Sequence, residues 1–346
     1  PDYHADQPFG SATGHAITAL PFDGRLLGAD FARLKPPRDV FMVLGGMMVG
    51  RREIPMLVRP FSSLFAFRRT VELLARHALD RLQYPRGTRL LIGNALVARY
   101  LHSLRRRGVP IEYETRLIDL HRENGRIAGA IVETAGRRRL VRARRGVILA
   151  TGGIAHSRLL RKELMASHPH EHSMADEADT GDGVSAARRV GAAIDGAVSN
   201  PAYWSPASIR IKPDGSQTLW IHGHMDRGKP GLIAVDASGR RFVNEADSYH
   251  DFVIAMFGTD ERKPAVPAFL ICDHRFVRKY GLGLVRPLVS RIGPFMRDGY
   301  LVRADSIEGL AQRVGIDQMA LQQSIEKYNA DARNGIDSEF GRGSRV

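Results

Sequence analysis

The stretch that most restricts what this chain can fold into is 144–153, Arg-Arg-Gly-Val-Ile-Leu-Ala-Thr-Gly-Gly. Val147, Ile148, Leu149 and Ala150 form a short unbroken apolar run, the pattern of a strand buried on both faces of a sheet. The run ends in Thr151, Gly152 and Gly153. Two residues without a Cβ leave their amides bare, so a ligand can lie directly against them. In open α/β sheets, ligands sit just beyond the carboxyl ends of the strands. Ala150, Thr151, Gly152 and Gly153 are therefore read as one wall of a cofactor site.

A second glycine cluster, Thr180-Gly181-Asp182-Gly183, opens a helix expected over 182–191. Gly181 and Gly183 let backbone N–H groups approach a ligand, and the positive helix end favours its anionic part. Asp182 either accepts hydrogen bonds from ribityl or ribose hydroxyls or serves only as the N-cap. No Gly-x-Gly-x-x-Gly opens a first βαβ unit, which a dinucleotide binder needs. The chain starts at Pro1 in mid-loop, and it reads as a fragment whose fingerprint lies upstream.

The rest of the chain suits an α/β fold. Gly and Pro punctuate residues 1–66, so this part reads mostly as loop. Val71, Leu74, Ala75, Ala78, Leu79 and Leu82 fall on one face of a helix expected over 67–83. Asn94 is placed to cap a second helix, which ends in Arg105, Arg106, Arg107 and Gly108. A strand over 109–113 follows, the helix–glycine–strand order of a doubly wound sheet. An antiparallel meander comes next, at 116–120, 126–134 and 139–143. Asn124-Gly125 and Ala135-Gly136 are its turns. Asn200-Pro201 marks a change of texture, so domains are expected at 1–202 and 203–340, with 341–346 returning to the first. Within the second, 231–235 and 240–243 read as a hairpin, 268–273 as a strand, the capping box Asp305-Ser306-Ile307-Glu308 as the start of one helix and Asp317 as the cap of the last.

Composition narrows the classes. No apolar run is long enough for a transmembrane helix. Cys272 is the single cysteine, which excludes an internal disulfide and a Cys-rich metal centre. It suits a reducing compartment, most simply the cytoplasm. The formal charge is +14, from 51 basic and 37 acidic residues. Such an excess can mean nucleic acid or an anionic membrane surface. The densest patch is Arg137, Arg138, Arg139, Arg142, Arg144 and Arg145. No aromatics interleave with it as a stacking platform requires, so it reads as a solvated face and not a nucleic-acid site. His168, His170 and His172 alternate, as do His222 and His224. Nothing else nearby supplies ligands, and no metal site is expected.

In order, the motifs resemble those of the flavoproteins grouped with fumarate reductase and 3-ketosteroid 1-dehydrogenase. They are Asn-Gly-Arg-Ile-x-Gly at 124–129, Gly-Val-Ile-Leu-Ala-Thr-Gly-Gly at 146–153, Gly-Asp-Gly-Val-x-x-Ala-x-x-x-Gly-Ala at 181–192, and Gly-Arg-Arg-Phe-Val-Asn-Glu at 239–245. The ends, from Asp2-Tyr3-His4 to Phe340-Gly341-Arg342-Gly343, are more similar to the ketosteroid dehydrogenase branch. The resemblance implies FAD held by Gly152, Gly153 and Asp182, with the strand around Leu117 passing the adenine. It also implies a substrate domain inserted into the FAD domain. Such enzymes remove two hydrogens from adjacent carbons beside a ketone, one as a proton to the protein and one as a hydride to the flavin. By this resemblance Tyr249 is the candidate base and Tyr3 its hydrogen-bonded partner. A tyrosine with an ordinary value near 10 needs help to act so; otherwise Tyr249 is a half-buried aromatic after a turn.

Trp204 and Trp220 are candidates to line a flat apolar pocket, with core or interdomain packing the competing reading for both, and Phe252 is a further lining candidate. Arg241 serves either as an acid, as in fumarate reductases, or as the partner of Glu245. The leading expectation is an apolar, steroid-like ketone as substrate with an external electron acceptor. The rivals are a fumarate reductase-like enzyme, which needs Arg and His groups around two carboxylates, and a piece that binds no flavin.

Overall fold

The computed structural model describes residues 9–11, 13, 17–50, 52–165, 172–196, 198, 200–223, 226–258, 264–288 and 291–344. The chain divides into two compact units, 1–112 and 113–346.

In the first unit, residues 17–63 carry only short helical turns and two-residue strands. Ser63 accepts the Ala66 N–H and starts helix α1, Leu64–Gln83. Helix α2, Ile92–Arg106, starts from Leu91 and not from the expected Asn94. The Asn94 amide instead donates to Lys35 O at 2.9 Å. Phe22, Phe31, Leu90, Ala95 and Ala98 form the centre of the core.

The buried face of α1 differs from the expected one. Val71, Leu74, Leu79 and Leu82 are exposed, while Ala66, Thr70, Leu73, His77 and Asp80 point inward. The inward polar groups have fixed duties. His77 Nε2 bonds Leu44 O at 3.0 Å, and Asp80 accepts from Thr88 N and Oγ1 at 2.7 and 2.9 Å. A wrapping loop has few ladder partners for its buried backbone groups, and α1 supplies them. An expected strand at 109–113 is absent.

The second unit opens with the meander. Strands β1 (Thr115–Glu123), β2 (Arg126–Thr134) and β3 (Arg137–Arg142) pair antiparallel in that order. Both turns hold two successive residues at positive φ: Asn124 at 50° and Gly125 at 79°, then Ala135 at 49° and Gly136 at 75°. That is the turn whose twist matches the strands it joins.

The run 147–150 corrects the expectation of a doubly buried strand. No strand among the described residues pairs with it, and Ile148 is 92% exposed. An apolar run becomes a strand only where neighbouring chains offer N–H and C=O rows. Every ladder among the described residues is antiparallel and lies elsewhere. Beyond it, Ser157 caps the short helix α3, Arg158–Leu164, and helix α4 spans Asp182–Arg189.

Strands β4 (Ala207–Ile211) and β5 (Gln217–Ile221) form a hairpin. Strand β6 (Leu232–Val235) pairs antiparallel with β7 (Phe269–Cys272). The expected second arm at 240–243 contributes only a Val235–Arg241 bridge. All four residues of β6 are buried, and they alternate. Ile233 and Val235 pack on Ala311 and Leu321, while Ala234 packs on Phe242 and Phe252. Those partners lie on helices α5 (Tyr249–Phe257), α6 (Ile307–Val314) and α7 (Gln318–Arg333) and on the turn before α5. Within the expected stretch 305–308 it is Ser306 that caps α6, Asp317 caps α7 as expected, and Gly315, at φ 73°, ends α6.

A buried cluster of charges holds the turn before α5. Arg241 pairs with Glu245 at 2.8 Å, Asp337 at 2.9 Å and Glu339 at 3.1 Å. Glu245 also accepts the Ala234 N–H at 3.0 Å and pairs with Arg342 at 3.2 Å. Burial works against the charge on Arg241, but its bonds to Asp337 and Glu245 outweigh it and strengthen the guanidinium's hold on its proton. Burial also opposes the Asp337 carboxylate, and Arg241 more than offsets that, lowering it to about 2. The cluster ties 337–342 to 241–245, the segment that leads into Tyr249.

Candidate cofactor site and active site

The two glycine clusters, distant in sequence, meet in space. A Cβ on Gly183 would collide with Thr151 Oγ1, and one on Gly152 would collide with Asp179 Oδ1. Gly152 has φ 77° and Gly181 φ 80°, a left-handed region where glycine carries no Cβ penalty. Gly181 is the N-cap of α4, so Asp182 is its first residue and not its cap. Its carboxylate accepts from Thr180 Oγ1 at 3.1 Å and lies 3.5 Å from Arg116 Nε.

The strand bearing Leu117 joins the same place. The Arg116–Asp182 contact ties β1 to the start of α4. Arg189 ties it to the end, on Asp119 at 3.2 Å and Ile118 O at 2.7 Å. Leu117 is half-buried beside a register shift in β1. Ala150, Thr151, Gly152 and Gly153 are all exposed, and no atom lies within 4 Å of a Cβ built on Gly153. The open amide edge, a helix start and a carboxylate at its rim fit a dinucleotide. The amides and helix end suit a pyrophosphate, and Asp182 suits hydroxyl groups.

The substrate-side candidates gather around the start of α5. Ser248 accepts the Asp251 N–H and caps that helix, so Tyr249 is its first residue. Tyr203 meets Tyr249 edge-on, with ring centroids 5.3 Å apart, and stacks on His250 at 5.0 Å. The Trp204 backbone N–H donates to His250 Nδ1 at 3.2 Å, and the Trp204 ring packs edge-on against Phe257 at 5.4 Å. Tyr203 is 68% exposed, which gives this aromatic cluster an open face. Tyr203 and His250 were not among the sequence candidates. Their signal was the pairing of two aromatic doublets, at 203–204 and 249–250.

Phe252 is only 2% exposed and packs on Phe242. It also forms part of the wall of a cavity of about 670 Å³. Tyr3, His168, His170 and His224 lie outside the described residues. Arg241 is committed to three carboxylates, which resolves its reading in favour of pairing. His222 bonds Asp226 at 2.8 Å and Ser208 at 2.7 Å. Among the described residues no three His, Cys, Asp or Glu side chains are grouped to hold a metal. No helix of the described residues is long and apolar enough to cross a membrane. Burial pushes the Cys272 thiol up to about 12, which removes it as a nucleophile.

The family model described as FAD binding domain matches residues 4–345. A 4-oxocyclohex-2-ene-1-carboxylate 5-dehydrogenase of Sinomonas cyclohexanicum is 34% identical over 350 residues, covering 99% of this chain and 58% of the relative. A 3-oxosteroid 1-dehydrogenase of Mycolicibacterium smegmatis is 32% identical over 354 residues, covering 99% and 60%. The crystal structure of a 3-ketosteroid delta1-dehydrogenase from Sterolibacterium denitrificans, in complex with 1,4-androstadiene-3,17-dione, superposes with a TM-score of 0.85 at 31% identity. It covers 100% of this chain and 62% of that one. The chain thus spans about three fifths of the length of the relatives it matches.

Proposed function

This chain belongs to the FAD binding domain family, and from that premise we propose that it is the FAD-holding and substrate-holding part of a dehydrogenase acting on a CH–CH bond beside a ring ketone. The α/β class and FAD as cofactor follow from the membership. The observation that carries the cofactor reading is the meeting of Thr151–Gly152 with Gly181–Gly183. Residues 1–202 form the FAD-binding part, 203–340 the substrate part, and 341–346 the start of the return.

Bound FAD supplies the hydride acceptor. The protein's own contribution is a proton acceptor and a flat apolar surface. Tyr249 takes the proton α to the carbonyl, the acidic one because the resulting enolate spreads its charge. Its place as the first residue of α5, beside Tyr203, sets its hydroxyl-bearing ring at the head of that helix. Tyr203 and Trp204 present the aromatic face on which a ring ketone lies, and an external acceptor takes the electrons. The proposed partner Tyr3 belongs to the same reading.

The dicarboxylate alternative finds less support. It requires Arg and His groups turned toward substrate, yet Arg241 and Arg342 are both engaged with carboxylates inside the fold. The test is anaerobic reduction of the full-length holoprotein. The flavin band is expected to bleach with a 3-ketosteroid or a 4-oxocyclohexanecarboxylate. Failure to bleach with any cyclic ketone would overturn the reading.

A further inference from the structure

The cavity walled in part by Phe252 contains a hydrogen-bonded chain that the proposed dehydrogenation does not use. Asp226 Oδ2 lies 2.8 Å from His222 Nδ1, and His222 Nε2 lies 2.7 Å from Ser208 Oγ. Ser208 Oγ lies a further 2.7 Å from the Tyr300 hydroxyl. The two ends are gripped by consecutive amides of one loop: Gly283 N–H donates to Asp226 Oδ2 at 3.1 Å, and Leu284 N–H donates to the Tyr300 oxygen at 3.0 Å.

These contacts fix the proton directions. Asp226 accepts, so His222 carries its proton on Nδ1, and its Nε2 accepts from Ser208. The Tyr300 oxygen receives the Leu284 N–H, which leaves its own proton directed at Ser208 Oγ. Exposure follows the same order. Asp226 and His222 are 4% and 7% exposed. Ser208, His222 and Tyr300 face the cavity, while Asp226 stands behind them. A nucleophile and a base open to a ligand, with the base oriented by a buried carboxylate, is the arrangement that activates a serine hydroxyl. The cavity of about 670 Å³ is otherwise mainly apolar, with Phe252, Met256, Leu270, Ile292 and Val302 among its walls.

We propose that Ser208, His222 and Asp226 form a second, hydrolytic site, which cleaves carboxylic esters of apolar acids bound in this cavity, with Tyr300 as the oxyanion donor. Ser208 Oγ bonds to the ester carbonyl carbon while its proton passes to His222 Nε2. The carbonyl oxygen gains charge and takes the Tyr300 hydrogen bond. The carbon–oxygen bond to the alcohol then breaks, and the leaving oxygen takes the proton from His222. Water attacks the acyl-Ser208 by the same route and releases the acid. Nothing is oxidised or reduced, and water is the only co-reactant, so the site works independently of flavin.

The test treats the full-length protein with an alkyl fluorophosphonate and maps the adduct by peptide mass spectrometry. One phosphonyl group on Ser208 is expected, with matching turnover of p-nitrophenyl butyrate. Ser208→Ala is expected to lose both, and His222→Gln to slow labelling on the order of 100-fold. Tyr300→Phe is expected to keep the label but lower ester turnover by about 100-fold. Wild-type protein whose Ser208 stays unmodified at saturating probe, or is labelled elsewhere only, would overturn the proposal, whatever the variants do.

Discussion

Two glycine-led motifs of this chain, 146–153 and 239–245, meet opposite fates. In the first, the apolar run and its glycines lie exposed, and what matters is backbone: bare amides beside a helix start. In the second, Gly239 is followed by side chains that vanish into the interior, where Arg241 and Glu245 are 7% and 0% exposed. One motif leaves space for a ligand to fill. The other fills its own space with paired charges and so fixes the entry to α5. The difference shows that glycine-rich sequence marks a ligand site only where the neighbouring side chains stay out of the way.

Breaking the second motif carries the largest expected effect on stability. Glu245→Ala takes from the buried Arg241 and the half-buried Arg342 the carboxylate they share. Removing one member of a buried pair costs about 3–5 kcal/mol, to be read as a lower denaturant midpoint. Flavin content measured on the fraction that remains folded is expected to hold. Breaking the first motif inverts the pattern. Gly183→Ala forces a Cβ onto Thr151 and is expected to weaken FAD binding about tenfold or more, which is ~1.4 kcal/mol, in a flavin titration. The two variants separate the motifs only if each spares the other's readout.

Acid sharpens the same contrast at smaller amplitude. Asp337 is held at about 2, below its ordinary 3.8. A lowered carboxylate adds stability above its unfolded value and loses it as pH falls through the folded one. The stability difference between wild type and Asp337→Asn should therefore be full at neutral pH and shrink as pH falls from about 4 toward 2. Arg116→Ala should matter least. Its contact with Asp182 is 3.5 Å long and its side chain is 69% exposed, so thermal denaturation should register under about 1 kcal/mol.

Much of this was legible because it follows local rules. The turns at Asn124-Gly125 and Ala135-Gly136 need positive φ, and the stretch 305–308 and Asp317 announce helix starts by their side-chain oxygens. The two glycine clusters were legible as separate pieces, but their meeting was not. The inward face of α1 was misread because periodicity counts apolar residues, whereas His77 and Asp80 turn inward to serve loop backbone. The strand expected at 147–150 failed because pairing depends on partners that no run contains in itself. The β4–β5 hairpin had its signal in Asp214-Gly215 and went unread. The Ser208–His222–Asp226 chain joins a strand to the loop after its partner, a link that only the fold makes.

The account stands or falls on Tyr249 as the group that removes the proton beside a ketone. The direct measurement is anaerobic stopped-flow bleaching of the flavin by a 3-ketosteroid in full-length Tyr249→Phe, alongside wild type at equal flavin content. A fall in rate on the order of 10²-fold or more, with substrate still bound, is the predicted result. Bleaching at the wild-type rate would contradict it.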